Sequence, residues 1–482
     1  MKNLRAFPPL TKSLLAILGP SIVFVALSLN GGEMLLWPSL VANFGLGLLW
    51  PLLIILLLQF VVNIEIERYT LVTGKRVEEA LVHNKVWLAI VFALTVIAAL
   101  MWPAWMSTAG NILAVIFNAP ASQERNIGLG LAMTLLALAV VVFRKPNIYK
   151  VLEKISRIGL SIALSIILLV VIVKFNAGVF WEGLRGIFNF GYIPKGLPRF
   201  DFVGALAYGG VAGVLNLVQS EWIADKGYGV NSEKLISNSQ FPISNDVELD
   251  TPESISNFKK WFTFINKEHA LLFVAANVFS IFLLAYLGRI LLPIGTAQGF
   301  GVIKAEILAL NAMLPYLGTL FGIAGTLIFI MANLTILDAI GRLLSRILGP
   351  LQRSNKKTIA ELGALPHARL SISAALLGMG ILCLALFVPA FKQPFFLLVL
   401  SACLSAFTMW LYPPLLLQLN YQLPKAARPS SWRSILVIAC TLGYGFVTLW
   451  AASIYIPVWL LVLVAAIITA YHIKVLLSVR NS

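Results

Sequence analysis

The sequence predicts an all-α polytopic membrane protein of twelve spans, with the first and sixth spans broken. Three observations lead there. Of its 482 residues, 59% are hydrophobic and 12% charged, where soluble domains carry about 25% charged residues. Apolar runs of about 18 residues or more fall near 14–43, 47–72, 86–117, 127–143, 150–175, 200–223, 269–292, 314–345, 370–390, 394–420, 432–454 and 456–478. Two of these runs, five spans apart, are interrupted at mid-length by glycines beside polar groups.

Residues 1–13 are short and basic, and the apolar run behind them is too long and polar-broken for a signal peptide and lacks a small-residue cleavage site, so they read as a retained cytoplasmic amino terminus. Residues 14–175 hold the first five spans, 176–199 an external linker, and 200–420 the next five spans. Residues 421–482 add two further spans and a cytoplasmic carboxyl terminus. Broken spans opening two five-span halves suggest an inverted repeat. The formal charge of +16 concentrates on one set of connecting segments, including Arg144-Lys145, Lys259-Lys260 and Arg353 to Lys357. The positive-inside rule makes those segments cytoplasmic, and a bacterial inner membrane is the expected location. The basic excess is therefore topological, and no nucleic-acid partner is expected. The oligomeric state is not legible.

The longest polar insertion is 227–266. Its middle, Asn231 to Asn257, is rich in Ser, Asn and acids and reads as flexible. Phe258 to Lys267 alternates aromatics with lysines, a pattern expected of a segment lying along the inner membrane surface. Gly295 to Ala312 reads as a short external helix.

Three cysteines (Cys383, Cys403, Cys440) and four histidines (His83, His269, His367, His472) show no metal-ligand spacing. The histidines all fall at expected span ends or loops. Neither a disulfide framework nor a structural zinc site follows, and no cofactor is expected.

The chemistry is expected at the breaks. Backbone that leaves the helix at membrane depth survives only where it lines an enclosed cavity. Span one breaks at Asn30-Gly31-Gly32-Glu33 and span six around Gly209-Gly210-Val211-Ala212-Gly213. A carboxylate near mid-bilayer costs several kcal/mol, roughly 2.5 or more, so Glu33 is expected to be used. Glu33, the Asn30 amide oxygen and freed carbonyls near Asn30 and Gly209 form an oxygen-rich ligand set. Asn216, Gln219, Asn333, Gln418 and Asn420 are candidate flanking or occluding partners. Glu65, Glu67 and Asp338 are candidates for gating or ion exit, with Glu65–Arg68 and Asp338–Arg342 spaced to pair along a helix. A structural reading of Glu33 is a cap on the second half-helix.

Gly19-Pro20 followed by Asn30-Gly-Gly-Glu33 resembles the first span of the natural resistance-associated macrophage protein (Nramp) family, where an Asp-Pro-Gly-Asn break follows Gly-Pro at the same distance. Glu67 to Gly74 is similar to that family's second-span exit, and Gly209 to Gly229 and Leu334 to Arg342 resemble its sixth and eighth spans. The resemblance covers residues 13–345 and implies a LeuT-like fold and proton-coupled uptake of a divalent metal. Carried over by position, the family's metal-binding Asp falls on Asn30 and its Asn on Glu33. Its Met-Pro-His falls on Ala212-Gly213-Val214, with Ala212 in the Met position. The thioether and the histidine are therefore absent.

An all-oxygen set with one charge suits a hard cation such as Mg²⁺ or Mn²⁺. The expected function is secondary import of a divalent metal as substrate, either coupled to protons or driven by the membrane potential alone. A transporter of an amino acid or other small organic solute is the alternative. A transport-inactive sensor or scaffold and a membrane enzyme are further readings, the enzyme weakened by the absence of recognisable ligand spacing in Asp246 to Glu253.

Overall fold

In the computed structural model, residues 5–10, 19–29, 32–83, 85–98, 103–119, 122–143, 148–211, 213–232, 247–295, 299, 301–353, 365–384, 387 and 394–480 are described. Among them the regular elements are helices, apart from a two-residue parallel pairing of Arg5–Ala6 with Val247–Glu248. Nine helices among the described residues are long and apolar enough to cross a membrane, or ten if the bent pair Pro20–Ser28 and Gly32–Phe44 counts as one span. The protein is an integral membrane protein by that measure.

The remaining two expected spans are described in pieces. Span three is described as Val86–Ala98 and Pro103–Ile116, with residues 99–102 outside the described residues. Span six is Arg199–Ala207, an unwound stretch, a 3₁₀ segment Gly213–Val218 and then Gln219–Lys226. The others follow the apolar runs, including Leu46–Thr73, Ile148–Val173, Leu317–Leu348 and Ser431–Ala452.

Two local expectations are corrected. Phe258 to Lys267 does not lie flat as a separate surface segment. It belongs to one helix running from Pro252 to Leu291, 40 residues long. Thr251 caps that helix, its side chain accepting the Ser254 N–H, and Pro252 occupies the first turn, where no amide is needed. Phe258, Trp261, Phe264 and Ile265 are buried, with Phe258 edge-on to Phe7 and Trp261 against Tyr228. The polar loop therefore ends by Thr251 rather than at residue 266. The external linker also contains a helix, Ala177–Ile187, capped by Asn176. The short helix expected after span seven is Gly301–Met313.

The core lies between spans one, two, six, seven and eight. Span eight packs against spans three and five, and the first half of span one lies against spans five and eight. Gly159 permits one of those approaches, since a Cβ there would sit 2.3 Å from Met331 Sδ. The outermost helix, Val458–Arg480, keeps Trp459, Val462 and Ile467 exposed, as a lipid-facing surface requires.

Candidate functional site

The two breaks meet. After Ser28 the first span leaves the helix and resumes at Gly32 as a one-turn π-helix, Gly32–Leu36. Such turns are uncommon and favour functional sites. A Cβ on Gly32 would lie 2.6 Å from Tyr208 Cβ and 2.9 Å from Tyr208 O, so only glycine permits this approach to the sixth span. Tyr208 itself precedes the non-helical Gly209–Val211. Glycine is also required at 213, where φ is +73° and the backbone presses on Ser405.

Glu33 is fully buried in that turn. Ser280 Oγ on span seven donates to its Oε2 at 3.2 Å, and Oε1 has no hydrogen-bond partner among the described residues. A buried carboxylate oxygen without a partner is costly, and it is a ready ligand for a cation. Gly209 lies beside Leu52, and Gly210 faces Gln59, whose Nε2 donates to Tyr444 OH at 2.6 Å. Tyr208 OH and Ser401 Oγ are 3.0 Å apart. The surroundings are hydroxyls and amides. Asn30 and Ala212, the other two expected ligands, lie outside the described residues.

Two methionines stand close to the breaks. The terminal methyl of Met34 packs toward span eight at Gly325. Met409 Sδ accepts from Asn216 Nδ2 at 3.3 Å and from Tyr412 OH at 3.1 Å. Asn216 is therefore held toward span ten, its Oδ1 left without a partner. Among the described residues no group of three or more His, Cys, Asp or Glu side chains converges as a metal site.

The other expected residues separate into distinct places. Asn333 is buried on span eight with its Nδ2 without a partner. Gln418 does not reach the breaks: its Nε2 donates to Ser478 Oγ on the last helix at 2.7 Å, on an exposed face. Its span turns the neighbouring Asn420 inward instead, donating to Glu65 Oε2 at 2.9 Å. Glu65 is also bridged by Arg68 at 2.8 Å, with Arg433 3.6 Å away, and so belongs to a buried ion-pair network. Asp338 accepts from Arg342 Nε at 2.7 Å. Arg342 reaches Asp225 as well, and Arg76 and Arg346 hold Glu221. Arg76, Glu221, Asp225, Arg342 and Arg346 line a cavity of about 280 Å³ at one end of the bundle. Just beyond span two, burial and the nearby Glu221 charge push the Glu78 carboxyl up to about 8, opposed by the hydrogen bond from Ser220 Oγ at 2.5 Å.

Sequence reasoning placed the seventh span but missed the polar face that it turns to the first. His269, Phe273, Asn277 and Ser280 fall on one face at spacings of four, four and three, and each meets the first span. Ser21 Oγ is 3.2 Å from His269 Nδ1, and the Phe24 and Phe273 rings lie 5.3 Å apart. Ser28 donates to Asn277 Oδ1 at 2.7 Å, and Ser280 completes the row at Glu33. His269, expected at a span end, is fully enclosed. The helix continues past it in both directions, so the lysines before it do not mark a boundary. The polar stripe on an apolar helix was the available signal.

No family model matches the sequence, and no curated protein does. Solved structures do. A manganese transporter of Eremococcus coleocola, in a histidine-to-alanine mutant form, superposes with a TM-score of 0.71 at 16% identity, covering 99% of this chain and 97% of that one. The same transporter in complex with an aromatic bis-isothiourea substituted compound gives 0.69 at 15% identity over 100% and 98%. Mhp1, a nucleobase-cation-symport-1 family transporter, gives 0.51 at 11% identity over 90% and 93%. The chain shares their LeuT-like fold along its whole length.

Proposed function

We propose that the protein is a secondary transporter that moves a divalent metal cation across a membrane by alternating access. One observation carries the reading: a fully buried carboxylate, Glu33, with one oxygen unpartnered, sits where the breaks of the two halves touch. The Ser280 hydroxyl donates to it, hydroxyls and the Gln59 amide flank the sixth-span break, and the Met409 thioether is engaged elsewhere. That donor chemistry favours Mg²⁺ or Mn²⁺ over softer ions. The fold shared with a manganese transporter supports a metal as cargo, and nothing in the arrangement resembles an enzyme's active site. The charge distribution supports cytoplasmic termini in a bacterial inner membrane, with residues 14–175 and 200–420 as the two halves.

The test is uptake into proteoliposomes loaded with a divalent-metal indicator, comparing Mn²⁺, Mg²⁺, Ca²⁺ and Cd²⁺ in wild type and Glu33→Gln. Saturable uptake of the hard ions, lost in the variant, is expected. A flat response to every ion would overturn metal transport and direct the search to organic solutes.

A further inference from the structure

The inner end of the polar stripe forms a second site that the cargo does not use. The His269 ring is fully buried and lined by Phe24, Phe60 and Phe273. Its Nδ1 lies 3.2 Å from Ser21 Oγ, 3.1 Å from Gln219 Nε2 and 3.5 Å from Glu67 Oε1. Its Nε2 lies 3.1 Å from Asn63 Nδ2. Gln219 Nε2 also donates to Glu67. One ring thus joins the first half of span one, span two, the second half of span six and the seventh helix. The neighbouring Glu268 accepts Tyr228 OH at 2.9 Å and the Gly19 N–H at 3.4 Å, so two adjacent residues hold the same half-helix.

The donors decide what this cluster can bind. With Glu67 ionised and His269 neutral, Nδ1 accepts from Ser21 and Gln219, and the proton sits on Nε2. Asn63 then needs its oxygen against the ring; its Oδ1 has no other partner, and an amide rotation provides this. A proton added to Nδ1 reverses the pattern. Nδ1 becomes a donor to Glu67, and the Gln219 N–H loses its acceptor. Ser21 must reorient to stay bonded.

The charged groups around the cluster are mostly matched to one another. Glu65 pairs with Arg68 on span two, and Lys226 with Glu153 across spans six and five. Glu221, Asp225 and Asp338 pair with Arg76, Arg342 and Arg346. Tyr149 on span five and Tyr228 after span six are further ionisable neighbours of Glu268. Among the described residues Glu67 and Glu268 are within salt-bridge distance of no Lys or Arg. Glu33 is eleven residues along the same helix at its Ser280 contact, about 16 Å away, so the two sites do not share atoms.

We propose that Glu67 and His269 together form a proton-binding site separate from the cargo site, and that binding a proton there releases the first half-helix from the seventh. This deepens the transport reading and takes its purpose from it: the proton and the metal would occupy different places and be coupled through span one.

The experiment uses the full chain with Cys383, Cys403 and Cys440 replaced by serine and Ala26→Cys, on the buried half-helix, as the reporter. Alkylation by N-ethylmaleimide is followed in liposomes from pH 8 to 5.5 without metal, each rate divided by that of the denatured protein at the same pH. The normalised rate is expected to rise about threefold or more toward acid. Glu67→Gln and His269→Gln should each abolish the rise. Ser21→Ala, which removes the half-helix's side of the contact, should raise labelling at every pH. A pH-independent wild type, or variants that retain its pH dependence, would overturn the proton site; Ser21→Ala with unchanged labelling would overturn the release. Labelling requires no cargo, so acid-dependent labelling without ion flux would sink metal transport while keeping this site, and flux with flat labelling the reverse.

Discussion

The two ends of the contact between span one and the seventh helix satisfy their polar groups to different degrees. At the outer end Glu33 has one protein hydrogen bond, from Ser280, and an oxygen with none. At the inner end His269 has polar neighbours at both ring nitrogens, drawn from three elements. A buried group left short of partners is unstable until something supplies them, whereas a saturated one fixes the position of its neighbours. The outer end is suited to receive an ion and the inner end to hold a helix.

Substitutions can sharpen or break that contrast. The largest effect is expected at Glu33→Gln, with initial uptake of Mn²⁺ lowered about tenfold or more, because the one charge among the ligands is removed. Uptake at the wild-type rate would break the assignment. Asn63→Ala should lower stability by about 1–3 kcal/mol by unpairing a buried ring nitrogen, read as a fall in Tm in detergent. Gly32→Ala should cost a similar amount, about 1–3 kcal/mol, because its methyl group meets Tyr208. A Tm matching wild type would show that the breaks do not touch. Ser280→Ala should cost only about 1 kcal/mol while shifting the KM for the metal, since it adjusts the Glu33 carboxylate rather than a packing contact.

The smallest effect concerns Glu78. A carboxyl raised on folding from 4.5 to about 8 destabilises the fold as pH climbs through that window, because the unfolded group ionises first. Glu78→Gln should therefore flatten the decline of Tm between pH 4.5 and 8 and leave Tm at pH 4 nearly unchanged. A parallel pair of curves would contradict the burial of that carboxyl.

Much of this was legible in the sequence. Twelve apolar runs and two glycine-marked interruptions give the spans and the breaks, because hydrocarbon imposes both length and backbone satisfaction. Glu33 stood out as a lone carboxylate at mid-span. Which face a residue occupies was harder. Gln418 and Asn420 are two apart, so one points outward to Ser478 and the other inward to Glu65. His269 was hidden because a helix that leaves the membrane keeps its own hydrogen bonds, and charge alone does not mark where it starts.

The length of the seventh helix has one more consequence. At 40 residues it spans about 60 Å, twice a bilayer's hydrocarbon. Its projecting turns grip the amino-terminal segment: Asn257 donates to Phe7 O at 3.0 Å and Trp261 to Pro8 O at 3.1 Å. The chain is thus leashed to the same helix on which its first half-span rests. Once released, that half-span remains at high effective concentration near its berth, and re-docking becomes an intramolecular step. Cutting the leash, by deleting the residues up to Pro8, would leave both sites intact while slowing the return.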